Sequence, residues 1–212
     1  MRNIRRNAKK IFAVLFTGAI LVAAVAFAQE AVYSLNVVGF QKVAVDPIDF
    51  VMAGVPFQAQ SHELNSLIGP QLTAANSSLK ADRVFLWDTA SQKYLKFYLR
   101  TGAGLTNKWV SYTNISIAAS NVILDVNDGY WINSAQTSLV QTMVLVGDVV
   151  NAGVVTSSFP IGFNLVSYPF SCPVSLNSLG LTNGSAANSS LKADRIQTWD
   201  VASQQYKKYY LR

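Results

Sequence analysis

Asp82 and Asp88, repeated as Asp194 and Asp200, are the carboxylate pairs nearest to a glycosidase arrangement, where one acid protonates a leaving group and the other activates water or attacks. Each pair brackets a strand-like run, and six residues of extended chain hold the two carboxyls roughly 20 Å apart, too far for a paired mechanism. Asp125-Val126-Asn127-Asp128-Gly129 resembles part of a calcium loop, but its oxygens fall one residue off the spacing and no glutamate closes it. The same residues suit a hairpin turn with positive φ. His62 and Cys172 are the only histidine and the only cysteine; they read as a loop histidine and a small buried hydrophobe between Phe170 and Pro173. The sequence holds no Gly-x-Ser-x-Gly elbow, glycine-rich phosphate loop or His/Cys cluster with metal spacing. These residues predict no catalytic centre, no metal site and no cofactor.

The remaining candidates are aromatic. Along Tyr94 to Leu99, strand alternation places Tyr94, Lys96 and Tyr98 on one face and Leu95, Phe97 and Leu99 on the other. The first face recurs as Tyr206, Lys208 and Tyr210. Rings flanked by lysine could stack on a sugar and donate to its hydroxyls. The same residues also describe an ordinary sheet face with snorkelling lysines, and Trp87 and Trp199 read as core pillars.

These faces belong to an internal repeat. Ala74 to Arg100 (AANSSLKADRVFLWDTASQKYLKFYLR) returns 112 positions later as Ala186 to Arg212 (AANSSLKADRIQTWDVASQQYKKYYLR), with seven differences among 27 residues. Upstream the match loosens: Phe50 to Phe57 answers Phe163 to Phe170, Leu64-Asn65-Ser66-Leu67 answers Leu176-Asn177-Ser178-Leu179, and Val38-Gly39 answers Val146-Gly147. Units thus begin near Val37 and Leu145, and Thr101 to Met143 has no counterpart, as expected of a fragment of a longer reading frame.

Within a unit, short β-branched and aromatic runs alternate with Gly, Pro, Asn, Asp and Ser clusters, as in all-β sandwiches and barrels. Strands are predicted at 32–38, 41–45, 50–55, 83–87, 93–99, 109–112, 122–126, 130–133 and 138–146. Trp87 to Tyr94 predicts a hairpin with Asp88 and Ser91 bonding the turn, and Glu63 to Ile68 predicts one short helix. The absence from the sequence of a longer amphipathic helix after residue 28 argues against α/β enzyme folds, whose parallel strands need crossover helices.

The first ten residues carry Arg2, Arg5, Arg6, Lys9 and Lys10. An apolar run to Ala26 and the small-x-small Ala26-Phe27-Ala28 follow, which together predict a cleaved secretory signal peptide. Removing it lowers the formal charge from +6 to +1, which leaves too little electrostatic attraction for nucleic-acid binding. The only membrane association expected is through this segment before cleavage. The expected organisation is therefore residues 1–28 as signal peptide, 29–144 as a first β module and 145–212 as a second, truncated one.

Val37-Val38-Gly39-Phe40-Gln41-Lys42, Gly129-Tyr130-Trp131-Ile132, Val146-Gly147-Asp148-Val149 and Ile161-Gly162-Phe163-Asn164-Leu165-Val166 resemble motifs of a family of uncharacterised secreted repeat proteins from Verrucomicrobia, Lentisphaerae and related bacteria. The resemblance implies an exported, β-rich bacterial protein and carries no activity or site residues with it. In such a bacterium the Asn-x-Ser triplets at Asn76, Asn114, Asn183 and Asn188 would have no glycosylation role. The expectation is a non-catalytic structural or adhesive protein, secreted or held at the cell surface. Its expected partners are other modules or copies of itself. The alternative is a carbohydrate-binding module that takes extracellular polysaccharide on Tyr94, Lys96, Tyr98, Tyr206, Lys208 and Tyr210.

Overall fold

A computed structural model describes residues 37–69, 71–181 and 183–212. The expected signal peptide and the first residues of the strand expected from Val32 lie outside them. The chain is mostly antiparallel β-sheet, as its composition predicts. In chain order the strands are β1 (Val38–Val45), β2 (Phe50–Gly54), β3 (Phe57–Gln58), β4 (Arg83–Asp88), β5 (Lys93–Gly102), β6 (Leu105–Ser111), β7 (Gly129–Asn133), β8 (Gln141–Val149), β9 (Arg195–Asp200) and β10 (Gln205–Tyr210). One helical turn, α1 (Leu64–Leu67), precedes β4, and a 3-10 turn occupies Leu176–Ser178.

Among the described residues these strands form three sheets, ordered β1-β8-β3, β2-β7-β4-β5-β6 and β10-β9. The five-stranded sheet turns Val51, Val84, Leu86, Phe97, Leu99, Tyr130 and Ile132 toward a single apolar cluster. This cluster also takes Val43 and Val45 from β1, Met143 and Leu145 from β8, and Leu64, Leu67 and Ile68 from α1 and its C-cap. Period-two alternation produces this division: Val84 pairs with Phe97 and Ile132, while the neighbouring Phe85 pairs with Lys96 and Trp131 on the opposite face. The largest side chains enclosed are Trp109 and Tyr130, so these, and not Trp87 and Trp199, are the pillars of the core.

α1 is too short to persist by propensity and is held by its surroundings. Leu64 N–H donates to Val122 O (2.8 Å), and Asn65 Oδ1 accepts from Trp109 N–H (2.7 Å). The strand expected at Val122 to Val126 is absent. Its alternation is present, with Leu124 buried, but its neighbour coils into α1 after one bridge between Glu63 and Ile123. Asp125 to Gly129 then forms a turn with the expected positive φ, at Asn127 (84°), and with Asp128 Oδ2 accepting from Asp125 N–H (2.9 Å), but it closes no hairpin because no strand precedes it. His62 is a tether: Nδ1–H donates to Leu124 O (2.8 Å), and Nε2 accepts from Gln58 Nε2 (2.7 Å). Cys172 is exposed, against the expectation of burial. It follows Tyr168-Pro169-Phe170 in a stretch without strands, where nothing encloses it.

The two Val-Gly pairs lie opposite each other, Val38-Gly39 on β1 and Val146-Gly147 on β8, with Gly39 across from Gly147. The missing side chains make a slot for Phe57, because a Cβ on Gly39 would stand 2.4 Å from its ring and one on Gly147 would stand 2.9 Å from its Cβ. β8 runs through residue 145 to Val149 while pairing with β1 and β3.

The 27-residue repeat keeps its local hydrogen bonds. Ala75 N–H donates to Leu99 O, Leu99 N–H to Asp82 O and Asp82 N–H to Thr73 O; 112 positions later Ala187, Leu211 and Asp194 make the same three bonds. Register is kept as well, with Arg83 opposite Tyr98 and Arg195 opposite Tyr210. The two aspartates differ in enclosure. Asp82 is fully buried and accepts from Thr73 N–H (2.7 Å), Ala135 N–H (2.6 Å) and Gln141 Nε2 (2.7 Å), whereas Asp194 is exposed and accepts from Ser185 N–H alone (2.7 Å). Removing a buried acceptor strands its donors at about 1–3 kcal/mol each, part of which relaxation recovers. Asp82→Ala is therefore expected to lower unfolding free energy by about 3 kcal/mol and Asp194→Ala by under about 1 kcal/mol, as measured by urea titration followed by circular dichroism.

Candidate functional site

The face of the five-stranded sheet turned away from the core carries Phe50, Phe85, Trp87, Tyr94 and Trp131. Pairing fixes them as neighbours, with Phe85 opposite Trp131 and Trp87 opposite Tyr94. Edge-to-face contacts link the rings: Trp87 to Tyr94 at 4.7 Å between centroids, Phe85 to Tyr94 at 6.4 Å and Phe50 to Trp131 at 6.2 Å. Trp131 Nε1–H donates to Tyr94 Oη (3.2 Å).

The second copy of the repeat covers part of this face. Trp199 and Tyr206, opposite each other on β9 and β10, lie against Trp131 with centroids 4.8 and 6.1 Å away. Burial raises the Tyr206 hydroxyl above its ordinary pKa, and the neighbouring Tyr94 hydroxyl raises it further. Such ring pairs contribute about 0.5–1.5 kcal/mol each beyond the area they remove from water.

Polar bonds fix the contact at two places. Trp199 Nε1–H donates to Phe50 O (3.0 Å). The Gln204 carboxamide pairs with both backbone groups of Phe50, accepting from N–H (3.2 Å) and donating to O (3.3 Å). In the opposite direction Trp87 Nε1–H donates to Phe163 O (2.7 Å), and the Gln92 carboxamide accepts from Phe163 N–H (2.8 Å) and donates to its O (3.1 Å). Trp199 and Gln204 are the repeat equivalents of Trp87 and Gln92, and Phe163 is the equivalent of Phe50.

Local turn chemistry aims the glutamines. Gln92 and Gln204 close their hairpins with positive φ, 53° and 50°, a conformation costly for a residue with a Cβ. Each carboxamide folds back to donate to the turn, Gln92 to Thr89 O and Gln204 to Val201 O, both at 2.8 Å. The head is thereby presented edge-on to a backbone in the other copy. Asp88 and Asp200 hold the same turns. Ser91 Oγ–H donates to Asp88 Oδ2 (2.6 Å), and this bond leads the effects that keep Asp88 below its ordinary pKa. Asp200 is lowered chiefly by its bond to Lys207 (2.5 Å). Asp88 Oδ1 and Asp200 Oδ1 also accept from the turn, from Ala90 N–H and Ala202 N–H (both 3.1 Å), so both carboxylates are engaged within their own hairpins.

The residues expected as a sugar face separate. Tyr94 is partly exposed among the rings, and Lys96 is exposed. Tyr98 is 3% exposed, packed with Ala81 and Val110 and edge-on to Tyr112 at 5.6 Å. Tyr206 lies against Trp131, while Lys208 and Tyr210 are exposed toward the far end of the hairpin. Phe50, Gln92, Trp131, Phe163 and Gln204 complete the contact and were not singled out by type. One available signal was that Gln92 and Gln204 survive between the repeats, as do both tryptophans.

A cavity of about 180 Å³ opens between Gln41, Gly54, Pro56, Ser167 and Tyr168, below the ~300 Å³ at which small-molecule sites begin. Among the described residues no three His, Cys, Asp or Glu side chains are grouped to hold a metal ion, and no helix is long and apolar enough to cross a membrane. Compared with known proteins, the chain matches no described protein family, no curated protein and no solved structure.

Gln204→Gly suits the positive-φ turn and deletes both carboxamide contacts, the clamp on Phe50 and the bond to Val201 O. The Phe50 amide is then expected to exchange with solvent at least about tenfold faster, one lost hydrogen bond in size, while the β9–β10 ladder amides keep their rates. Trp199→Ala removes the bond to Phe50 O and the ring contact with Trp131 and should loosen the same docking by about 1–3 kcal/mol, read from hydrogen exchange of the second copy.

Proposed function

We propose that this chain is an exported, non-catalytic structural or adhesive protein of the cell envelope or extracellular matrix. In this reading it is built from sandwich-like β modules that hold onto one another. One observation carries the reading: the repeat retains its aromatic and glutamine contact residues while altering its core side. Of the seven differences, Val84, Leu86, Leu95 and Phe97 face the core side of the first copy and become Ile196, Thr198, Lys207 and Tyr209. Thr89 and Lys93 lie at the turn, and Phe85 alone is on the contact face. Trp87, Gln92 and Tyr94 return unchanged. A unit whose outward face is kept while its inner face drifts suits association, and repeating an association unit multiplies reach and avidity. The cationic start, apolar run and Ala26-Phe27-Ala28 support export, and the low charge beyond residue 28 gives no support to nucleic acid as a partner.

Polysaccharide binding is the second reading, favoured by the partly exposed rings of Tyr206 and Tyr210, 42% and 41%. Fractionation of the native cells and a sedimentation panel of insoluble polysaccharides test both. The first reading expects a mature protein starting at Gln29 at the surface or in the medium, with no saturable sedimentation. Retention in the cytosol with residues 1–28 attached would overturn it. Sedimentation abolished by Tyr206→Ala and Tyr210→Ala would replace it with the second.

A further inference from the structure

The contact between the two copies has the logic of a two-fold axis. Phe50 of the first copy is gripped by Trp199 and Gln204 of the second, and Phe163 of the second by Trp87 and Gln92 of the first, through the same three hydrogen bonds. Near such an axis a residue must meet its own equivalent. One pair does so. Gly54 packs on Ser167, its counterpart, so closely that a Cβ on Gly54 would stand 2.0 Å from that of Ser167. Tyr94 and its counterpart Tyr206 both lie on Trp131, whose Nε1–H donates to Tyr94 Oη (3.2 Å) and whose ring stands 6.1 Å from that of Tyr206. Exchange of reciprocal bonds together with self-contact at the centre defines an isologous interface, in which one patch recognises itself.

An isologous patch does not require its two halves to share a chain. We propose that the first copy recognises a second copy of this same chain. Two first-copy faces would pair across a true two-fold axis, with Phe50 of each beneath Trp87 and Gln92 of the other, whenever the internal second copy is displaced. The inference deepens the structural reading above and rests on it. All five residues of the half-interface, Phe50, Trp87, Gln92, Tyr94 and Trp131, lie in the first copy, whose apolar cluster is drawn entirely from Val43 to Leu145. Pairing two first copies would change two residues of the contact. Phe85 replaces Gln197 on the second side, and Gly54 replaces Ser167 at the crowded centre. In the chain as it stands the second copy masks the face, and masking weakens apparent self-affinity by the fraction of time the face is open.

The test uses residues 29–212 carrying Trp199→Ala and Gln204→Gly, followed by sedimentation velocity up to about 100 µM, a range that detects association constants ordinary for small interfaces. Releasing the internal clasp is expected to tighten dimerisation by about tenfold or more over the unsubstituted chain, and adding Trp87→Ala should return the released chain to monomer. Circular dichroism checks that the sheets persist. If the released chain loses its sheet signal, residues 37–150 replace it, with and without Trp87→Ala, and the same dimer and monomer are expected. A folded released chain or fragment that stays monomeric at the highest concentration overturns the inference, as does a dimer indifferent to Trp87→Ala. Neither result bears on export or polysaccharide binding, so the two readings fail separately.

Discussion

A strand at the edge of a sheet leaves backbone donors and acceptors without partners, and the structure depends on how one such edge is closed. β2 is one of the two edge strands of the five-stranded sheet, and at its first residue the N–H and C=O groups of Phe50 are taken by the carboxamide of Gln204. A primary amide has donor and acceptor side by side, so it imitates one step of a β-ladder without adding a strand. Unpaired edges invite uncontrolled pairing with other chains. A side chain that completes the ladder by one residue and then ends satisfies the edge and limits what can follow. The aromatic rings then supply the apolar area that such a short polar contact lacks.

The positive φ at both glutamines gives this arrangement its physical signature. Glycine or asparagine would take that backbone position with less strain, yet both hairpins carry a residue whose side chain is long enough to bond its own turn and a distant backbone at once. Strain retained at two equivalent positions is matched by the same bond set at both, which ties the local conformation to the contact it serves.

Much of the fold was legible in the sequence because period-two alternation is a local property. β4, β5, β7 and the hairpin between Trp87 and Tyr94 follow from it within a residue or two, apart from the longer C-terminal reach of β5. What could not be read depended on partners distant in sequence. Leu64-Asn65-Ser66-Leu67 and Leu176-Asn177-Ser178-Leu179 are identical, but the first is an α-turn with buried leucines and the second a 3-10 turn with none buried, because Trp109 is there to clasp Asn65 and none of the described residues clasps Asn177 in the same way. Tyr98 and Tyr94 share a face by parity, yet Tyr112 and Val110 cover one of them. Trp87 is large and apolar, as a pillar should be, but its parity places it outside the core. The glutamine clamp was the least legible feature, since glutamine at a hairpin end is unexceptional by type and its partner lies about seventy residues onward.

Both larger sheets are closed by late strands. β8 holds β1 to β3 across about a hundred residues, and β7 enters between β2 and β4 after β4, β5 and β6 have been made. Every N-terminal strand therefore waits for a segment synthesised much later, and Asp82 finds two of its three donors only when Ala135 and Gln141 arrive. Closing loops of that length costs more chain entropy than closing the hairpins between β4, β5 and β6. The native arrangement of both larger sheets thus requires the chain through nearly residue 150, whereas the β4–β5–β6 ladder needs only neighbours close in sequence.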